Sequence, residues 1–442
     1  MTPAKRRTIL AALPLALGGC SLWDGIFSNT KQPLPGERRS VLPGETALQP
    51  DEGMEGVEIA LPPPALNAHW PVPGGTASNV MGHLQGADRL GVAWRASVGT
   101  GASRRRRLIA PPVVMDGRVF AADAEARVTA FDLAGGGALW RVSTRPEGGS
   151  STVLGAGVAC DGARVIAATG HAEVLALAGE TGEVLWRKPL PSPSRGAVTI
   201  AANRAIVLCV EGQVVAVDTA TGEQAWQHRG PSETTTLLAS PTPAADQGLL
   251  LVGFGNGDIA VLRLDTGRIA WSEVTGSGRG RPSIADLASV VGRPAIDRGR
   301  GFVTGAGGVT IALDMRSGRR IWERDLAGRE SPWIAGDWMF MVTAAEDLVC
   351  LSRNDGRARW VTSLPRFRDE ERRRDPIQWT GPILMGDRLV VASTLGQAIA
   401  VSPYSGEIIG RQGLPAGVRV SPVAADGTLL LLSDDATLFA LR

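Results

Sequence analysis

One phrase returns along this chain. It reads T-G-E-V-L-W-R at Thr181–Arg187, T-G-E-Q-A-W-Q from Thr221 and T-G-R-I-A-W-S from Thr266. Its tryptophan belongs to a longer series: Trp94, Trp140, Trp186, Trp226, Trp271, Trp322 and Trp360, with Gly410 in the next slot, inside S-G-E-I-I-G-R. Eight marks over residues 89–442 give a period of roughly 44, which suits a four-stranded propeller blade and also a helical HEAT-type unit. Strand chemistry decides between them. A-P-P-V-V-M-D-G (110–117), R-V-F-A-A-D-A (118–124), A-R-V-T-A-F-D (126–132) and A-L-W-R-V-S (138–143) are short apolar runs rich in β-branched residues, separated by D-G and G-G-G turns. No stretch sustains a helical period. Each unit therefore reads as four antiparallel strands.

A second mark stands ten residues before each tryptophan slot: Ala130, Ala176, Ala216, Val261, Ala312, Cys350 and Ala400. The position calls for a small side chain, where the third strand of a blade packs closely on its neighbour. The ends show how the ring closes. The last unit, V-S-P-V-A-A-D-G (420–427), T-L-L-L-L-S (428–433) and T-L-F-A-L-R (437–442), has its small mark at Ala440 and no fourth strand, whereas G-V-A-W-R-A-S-V (91–98) is a fourth strand with nothing before it. Pairing residues 91–98 with 420–442 completes an eighth blade. The expectation is an all-β, eight-bladed propeller over residues 89–442, one closed domain despite its length. In each Thr-Gly turn, glycine supplies a positive φ and the hydroxyl bonds the turn, while Asp132, Asp218 and Asp314 accept from its N–H groups. The tryptophans are structural markers that pack between blades.

Residues 1–19 read as a signal peptide, with a charged start at Lys5, Arg6 and Arg7 and a short apolar stretch, Thr8 to Leu17. L-A-L-G-G-C then resembles a bacterial lipobox, which implies lipidation of Cys20. Ser21 after it, in place of Asp, implies sorting to the outer membrane, facing the periplasm. Acyl chains on one cysteine anchor a protein at about 0.8 kcal/mol per buried CH₂. Residues 20–88, with P-L-P-G-E-R-R-S-V-L-P-G and L-P-P-P-A-L, read as a Pro/Gly-rich flexible tether. Loss of the leader takes the formal charge from +2 to −1, which argues against nucleic acid as a partner. Cys160, Cys209 and Cys350 are an odd number in an oxidising compartment and read as buried thiols, Cys350 as a small hydrophobe in its marker slot.

A-V-D-T-A-T-G-E-Q-A-W (216–226) and A-L-D-M-R-S-G-R-R-I-W (312–322) resemble the docking motif A-x-D-x-x-T-G-x-x-x-W of the PQQ-type propellers. That superfamily contains the quinoprotein alcohol dehydrogenases and the BamB family of outer-membrane assembly lipoproteins. The layout of lipobox, Pro-rich segment and eight units is similar to the BamB family over nearly the whole mature chain. The resemblance implies a non-enzymatic scaffold of the outer-membrane β-barrel assembly machinery. It would bind the POTRA repeats of a BamA-type barrel protein and assist barrel folding and insertion. Other lipoproteins of the complex, nascent barrel proteins and membrane lipid, through the Cys20 acyl chains, are the further partners implied. The alternatives are a periplasmic PQQ-dependent dehydrogenase and a lipid-anchored binding module with another partner.

Little supports the enzyme. Adjacent cysteines are absent, His69, His83, His171 and His228 have no ligand spacing, and no acidic calcium loop is present. No catalytic, metal or cofactor residue is assigned, and PQQ is not expected. G-F-G-N-G-D (253–258) reads as a hairpin between the second and third strands of a blade rather than a nucleotide loop, because no helix follows it. Recognition is expected on the long connections between blades. The segment near 273–293 matches a BamB-family feature through Ile284, Leu287 and Val290, with Asp286 nearly its only acid, and the preceding connection offers Leu237 and Leu238. The expected partner surface is thus Leu237, Leu238, Ile284, Asp286, Leu287 and Val290, or else these residues pin their loops to the propeller. The Arg-rich stretches 104–107 and 366–374 read as solvated loops.

Overall fold

A computed structural model describes residues 48–104, 106–149, 155–194, 196–231, 241–274, 290–306 and 308–442. Among them are eight four-stranded antiparallel sheets and no helix. Seven sheets are consecutive in the chain. Blade 1 begins at Val113–Met115, blade 2 at Ala156–Cys160, blade 3 at Thr199–Ala201, blade 4 at Ala244–Asp246, blade 5 at Ala295–Asp297, blade 6 at Trp333–Ala335 and blade 7 at Trp379–Leu384. The eighth sheet joins Val423–Ala425, Thr428–Leu432 and Thr437–Leu441 to Val92–Ser97 as its outermost strand. The split blade read from the sequence is the one that closes the ring.

Hydrophobic burial follows the blades. The second and third strands are buried almost throughout, and the outermost strands alternate, as in Val92–Ser97 and Gln224–Arg229. The tryptophans join one blade to the next. Each indole N–H donates to a carbonyl at the following blade's turn: Trp94 to Leu133, Trp140 to Gly179, Trp186 to Thr219, Trp226 to Leu264, Trp271 to Met315, Trp322 to Arg353 and Trp360 to Pro403, at 2.8–3.1 Å. The turn glycine of that next blade lies against the ring. A methyl group on Gly222 would stand 2.6 Å from Trp186, and Gly222 has a φ of +71°. So the glycine and the tryptophan of one T-G-x-x-x-W phrase serve two different contacts, one backward and one forward around the ring. The Asp side chains cap the turns as expected: Asp218 Oδ1 accepts from the N–H of Ala220 and of Thr221, and Asp314 Oδ1 from that of Ser317.

The small marker has a more local cause than close blade packing. Ala130, Ala176, Ala216, Val261, Ala312, Cys350 and Ala440 lie directly opposite Trp140, Trp186, Trp226, Trp271, Trp322, Trp360 and Trp94 in the strand register. A large residue would compete with the indole for the same space. Ala400 faces Gly410 in the same way. Gly410 itself is explained by closure: blade 8, whose outer strand comes from residues 92–97, has no turn of this kind for a tryptophan on blade 7 to meet.

The tether reading fails for residues 49–88. From Asp51 onward the segment is packed on the propeller. Asp51 accepts from Arg324 at 2.8 Å and from the Ala358 N–H at 2.6 Å, and Met54 and Ile59 are buried in the core around Trp360. The chain then circles one mouth of the central channel and meets the inner strands in blade order. Asn67 bonds Ala424 and Asp426 of blade 8, and Trp70 pairs with Val114 of blade 1. The Pro71 carbonyl takes the Cys160 N–H of blade 2, and Val72 packs into the core shared by blades 2 and 3. The Ala77, Ser78, Gly82 and Leu84 carbonyls accept from Ala245, Ile296, the Trp333 indole and Gly386 of blades 4, 5, 6 and 7. The strap closes on itself where Ala65 pairs with Leu84, beside buried His83, whose ring nitrogens face the Pro62 and Gly386 carbonyls at 2.8 Å each. Composition suggested disorder because the strap has too few apolar residues for a core of its own; the propeller supplies one. Residues 20–47, including Cys20, lie outside the described residues.

Candidate partner-binding face

Each outermost strand leads into the next blade's innermost strand, and these connections gather on the face opposite the strap. The two segments singled out for recognition belong here, between blades 3 and 4 and between blades 4 and 5. Leu237, Leu238, Ile284, Asp286 and Leu287 lie outside the described residues. Their loops' roots are placed, and they converge. Gly230, at the start of the first loop, lies so close to Phe254 that a methyl group there would stand 2.4 Å from its ring. Val290, at the end of the second, donates its N–H to the Phe254 carbonyl at 3.2 Å and bridges to Gly305. Phe254 is itself fully buried. The G-F-G-N-G-D hairpin of blade 4 is therefore the post on which Gly230 and Val290, one root of each loop, both rest, a role its glycine-rich sequence did not announce.

Val290 corrects one expectation. It is 1% exposed and packs against Gly253, where no Cβ would fit. It pins the loop and offers no surface to a partner. Nothing in the sequence separates this inward-facing valine from an exposed one; its burial against Gly253 does.

A groove of about 630 Å³ opens beside the two roots and runs onto the outer rim, with His228 and Arg229 on one side and Ile259 and Ile269 on the other. Ile269 is half exposed. Glu273 and Arg320 close one end with an ion pair at 2.7 Å. Burial holds the His228 imidazole below its ordinary value, opposed by the hydrogen bond the ring donates to the Gly267 backbone carbonyl.

The Arg-rich stretches carry their own acids. Residues 366–374 fold into a small hairpin, Phe367–Asp369 with Arg374–Pro376. Arg366 reaches Asp347 at 3.3 Å, and the Glu370 carboxylate accepts from the Arg366 and Phe367 N–H groups. Arg106 pairs with Glu125, while Arg104 and Arg107 are exposed. Chemistry is sparse elsewhere. No group of three metal-ligating side chains exists among the described residues. Cys160, Cys209 and Cys350 are buried thiols, pushed up by burial, Cys209 to about 11.

Comparison with known proteins agrees with this architecture. The model of the family "Outer membrane protein assembly factor BamB" matches residues 124–362 and 369–442. The assembly factor BamB of Shigella dysenteriae is 26% identical over 356 residues, covering 79% of this chain and 88% of its own. Among solved structures, BamB from Moraxella catarrhalis superposes with a TM-score of 0.68 at 19% identity, over 80% of this chain and 100% of that one. A quinohemoprotein alcohol dehydrogenase from Pseudomonas putida shares the fold at a TM-score of 0.65 and 14% identity. The likeness to the dehydrogenase is one of fold, and the sequence match over most of the ring places the chain in the family of outer membrane protein assembly factor BamB.

Proposed function

We propose that this chain is a lipid-anchored, non-enzymatic scaffold of the outer-membrane β-barrel assembly machinery, working without a quinone cofactor. It binds the POTRA repeats of a BamA-type barrel protein through the face that carries the connections into blades 4 and 5. Family membership supports the assembly role. The observation that carries the choice of surface is the convergence of both loop roots on Phe254, which makes two separate loops one neighbourhood. Lipidation at Cys20 holds the scaffold at the periplasmic face of the outer membrane.

The experiment is affinity purification of the intact lipoprotein from detergent-solubilised outer membrane. A BamA-type barrel is expected in near-stoichiometric amount, and its recovery should fall in a Leu237→Ala/Leu287→Ala double variant. Recovery of no such barrel refutes the scaffold reading. Full recovery with the double variant refutes the surface.

A further inference from the structure

The strap makes the central channel blind. From the face opposite it opens a cavity of about 500 Å³, with Pro73 of the strap among its lining residues and the connections between blades as its wall. Four guanidinium groups line it, those of Arg107, Arg293, Arg329 and Arg419, against one carboxylate, Glu330. That carboxylate is already engaged: Arg293 donates to Ser421 Oγ at 3.0 Å, and Ser421 donates to Glu330 at 3.1 Å. Asp434 meets Arg419 at 2.8 Å, and Glu346 stands 3.6 Å from Arg329. Arg107 makes no ion pair among the described residues, and its charge opposes the burial that raises the Asp434 carboxyl. The Nε of Arg293 and the Oγ of Ser331, both in the cavity wall, have neither a hydrogen-bond partner nor access to solvent.

We propose that this blind cup binds a small oxyanion of the phosphate or carboxylate type, held by the guanidinium groups of Arg107, Arg329 and Arg419. Three arguments combine. The volume lies within the roughly 300–1,000 Å³ of small-molecule sites. A concave wall with four guanidinium groups against one carboxylate is positive on balance, and a cleft with a net charge of one sign concentrates its field on the interior. Guanidinium groups present paired N–H donors that match an oxyanion's geometry. The proposal does not rest on the assembly role and survives its failure.

Glu346 gives the site a pH signature. Burial pushes its carboxyl up to about 7, with Glu330 adding to the push, while the Trp379 N–H, Arg329 and Arg366 pull it down. Asp347, beside it, is occupied by Arg366. As the pH falls through that value Glu346 becomes neutral, and Arg329 loses its counter-ion and is free for the anion.

The test is calorimetric titration of the full mature chain with sulfate, which stays a dianion between pH 6 and pH 8, at ionic strength held constant with chloride. Saturable binding is expected, tighter at pH 6 than at pH 8, and at least tenfold weaker in Arg107→Gln/Arg329→Gln. Arg329→Lys, which keeps the charge and loses the fork, serves as a second, milder variant and should fall between. Competition by inorganic phosphate against succinate identifies the class of anion. Heats that chloride reproduces, an affinity unchanged in both variants, or tighter binding at pH 8 would each overturn the proposal.

Discussion

Gly222 of blade 3 and Trp186 of blade 2 are in contact so close that the glycine has no room for a methyl group. The same arrangement links Gly136 to Trp94, Gly182 to Trp140, Gly267 to Trp226, Gly318 to Trp271, Gly356 to Trp322 and Gly406 to Trp360. The contact joins residues from successive repeats, which is why the phrase must recur: one unit's glycine is the other half of the previous unit's tryptophan.

Two glycine substitutions separate backbone strain from this contact. Gly248 has a φ of +79° and nothing within 4 Å of a Cβ, whereas Gly222 has a similar φ and the indole beneath it. Gly248→Ala should cost about 1 kcal/mol, the left-handed penalty alone. Gly222→Ala should cost about 2–3 kcal/mol more, because a well-packed contact must open. Urea midpoints of the two variants check the difference.

Restoring the missing tryptophan should gain nothing. Gly410→Trp would present an indole to a blade with no turn glycine and no turn carbonyl for its N–H. The melting temperature is expected to stay at or below that of the parent, whereas Trp226→Ala, at an occupied position, should lose about 3–5 kcal/mol.

The strap should come loose as a unit. Trp70 is 2% exposed, stacks on Trp333 at 6.3 Å and bonds Val114 through its backbone. Trp70→Ala should lower stability by about 3–5 kcal/mol and open residues 60–88 to limited proteolysis while blades 2 to 5 stay resistant. Mass mapping of the first cleavage sites distinguishes this from global unfolding.

Glu346 sets a pH dependence whose sign follows from its raised pKa. The folded state holds the proton more tightly than the unfolded chain, whose carboxyl has the ordinary value of 4.5. The contribution is therefore present below that value and lost as the pH climbs through about 7. Glu346→Gln, which keeps an acceptor for the Trp379 N–H, should flatten stability between pH 5 and pH 8. It should raise stability at pH 8 by on the order of 2 kcal/mol, read by denaturant titration at the two pH values.

Blade number, strand order and the closing pair were legible because each blade repeats its own instructions at a fixed spacing, with Trp94 and Ala440 matching across the chain as Trp226 and Ala216 do within a blade. The strap was not legible. Its bonds to the ring are made largely by backbone carbonyls, those of Pro71, Ala77, Ser78 and Gly82, and a carbonyl leaves no mark in the sequence. Its apolar anchors, Met54, Ile59, Trp70 and Leu84, follow no period because each fits a different place on the ring. Phe254 escaped for a related reason: its importance lies in two loops distant in sequence. Val290 fitted an apolar pattern equally well facing in or out, and only its burial decides.

The strap also orders events in time. Asn67 bonds Ala424, a residue made 357 positions later, and Trp94 pairs with Ala440. The segment that leaves the ribosome early is thus the one whose binding sites are complete only when the last blade exists. Contacts this distant in sequence form slowly, so Asn67 and the strand Val92–Ser97 wait for the last blade, whereas Trp70 and Pro71 find their partners in blades 1 and 2. A chain of this design is finished by its beginning.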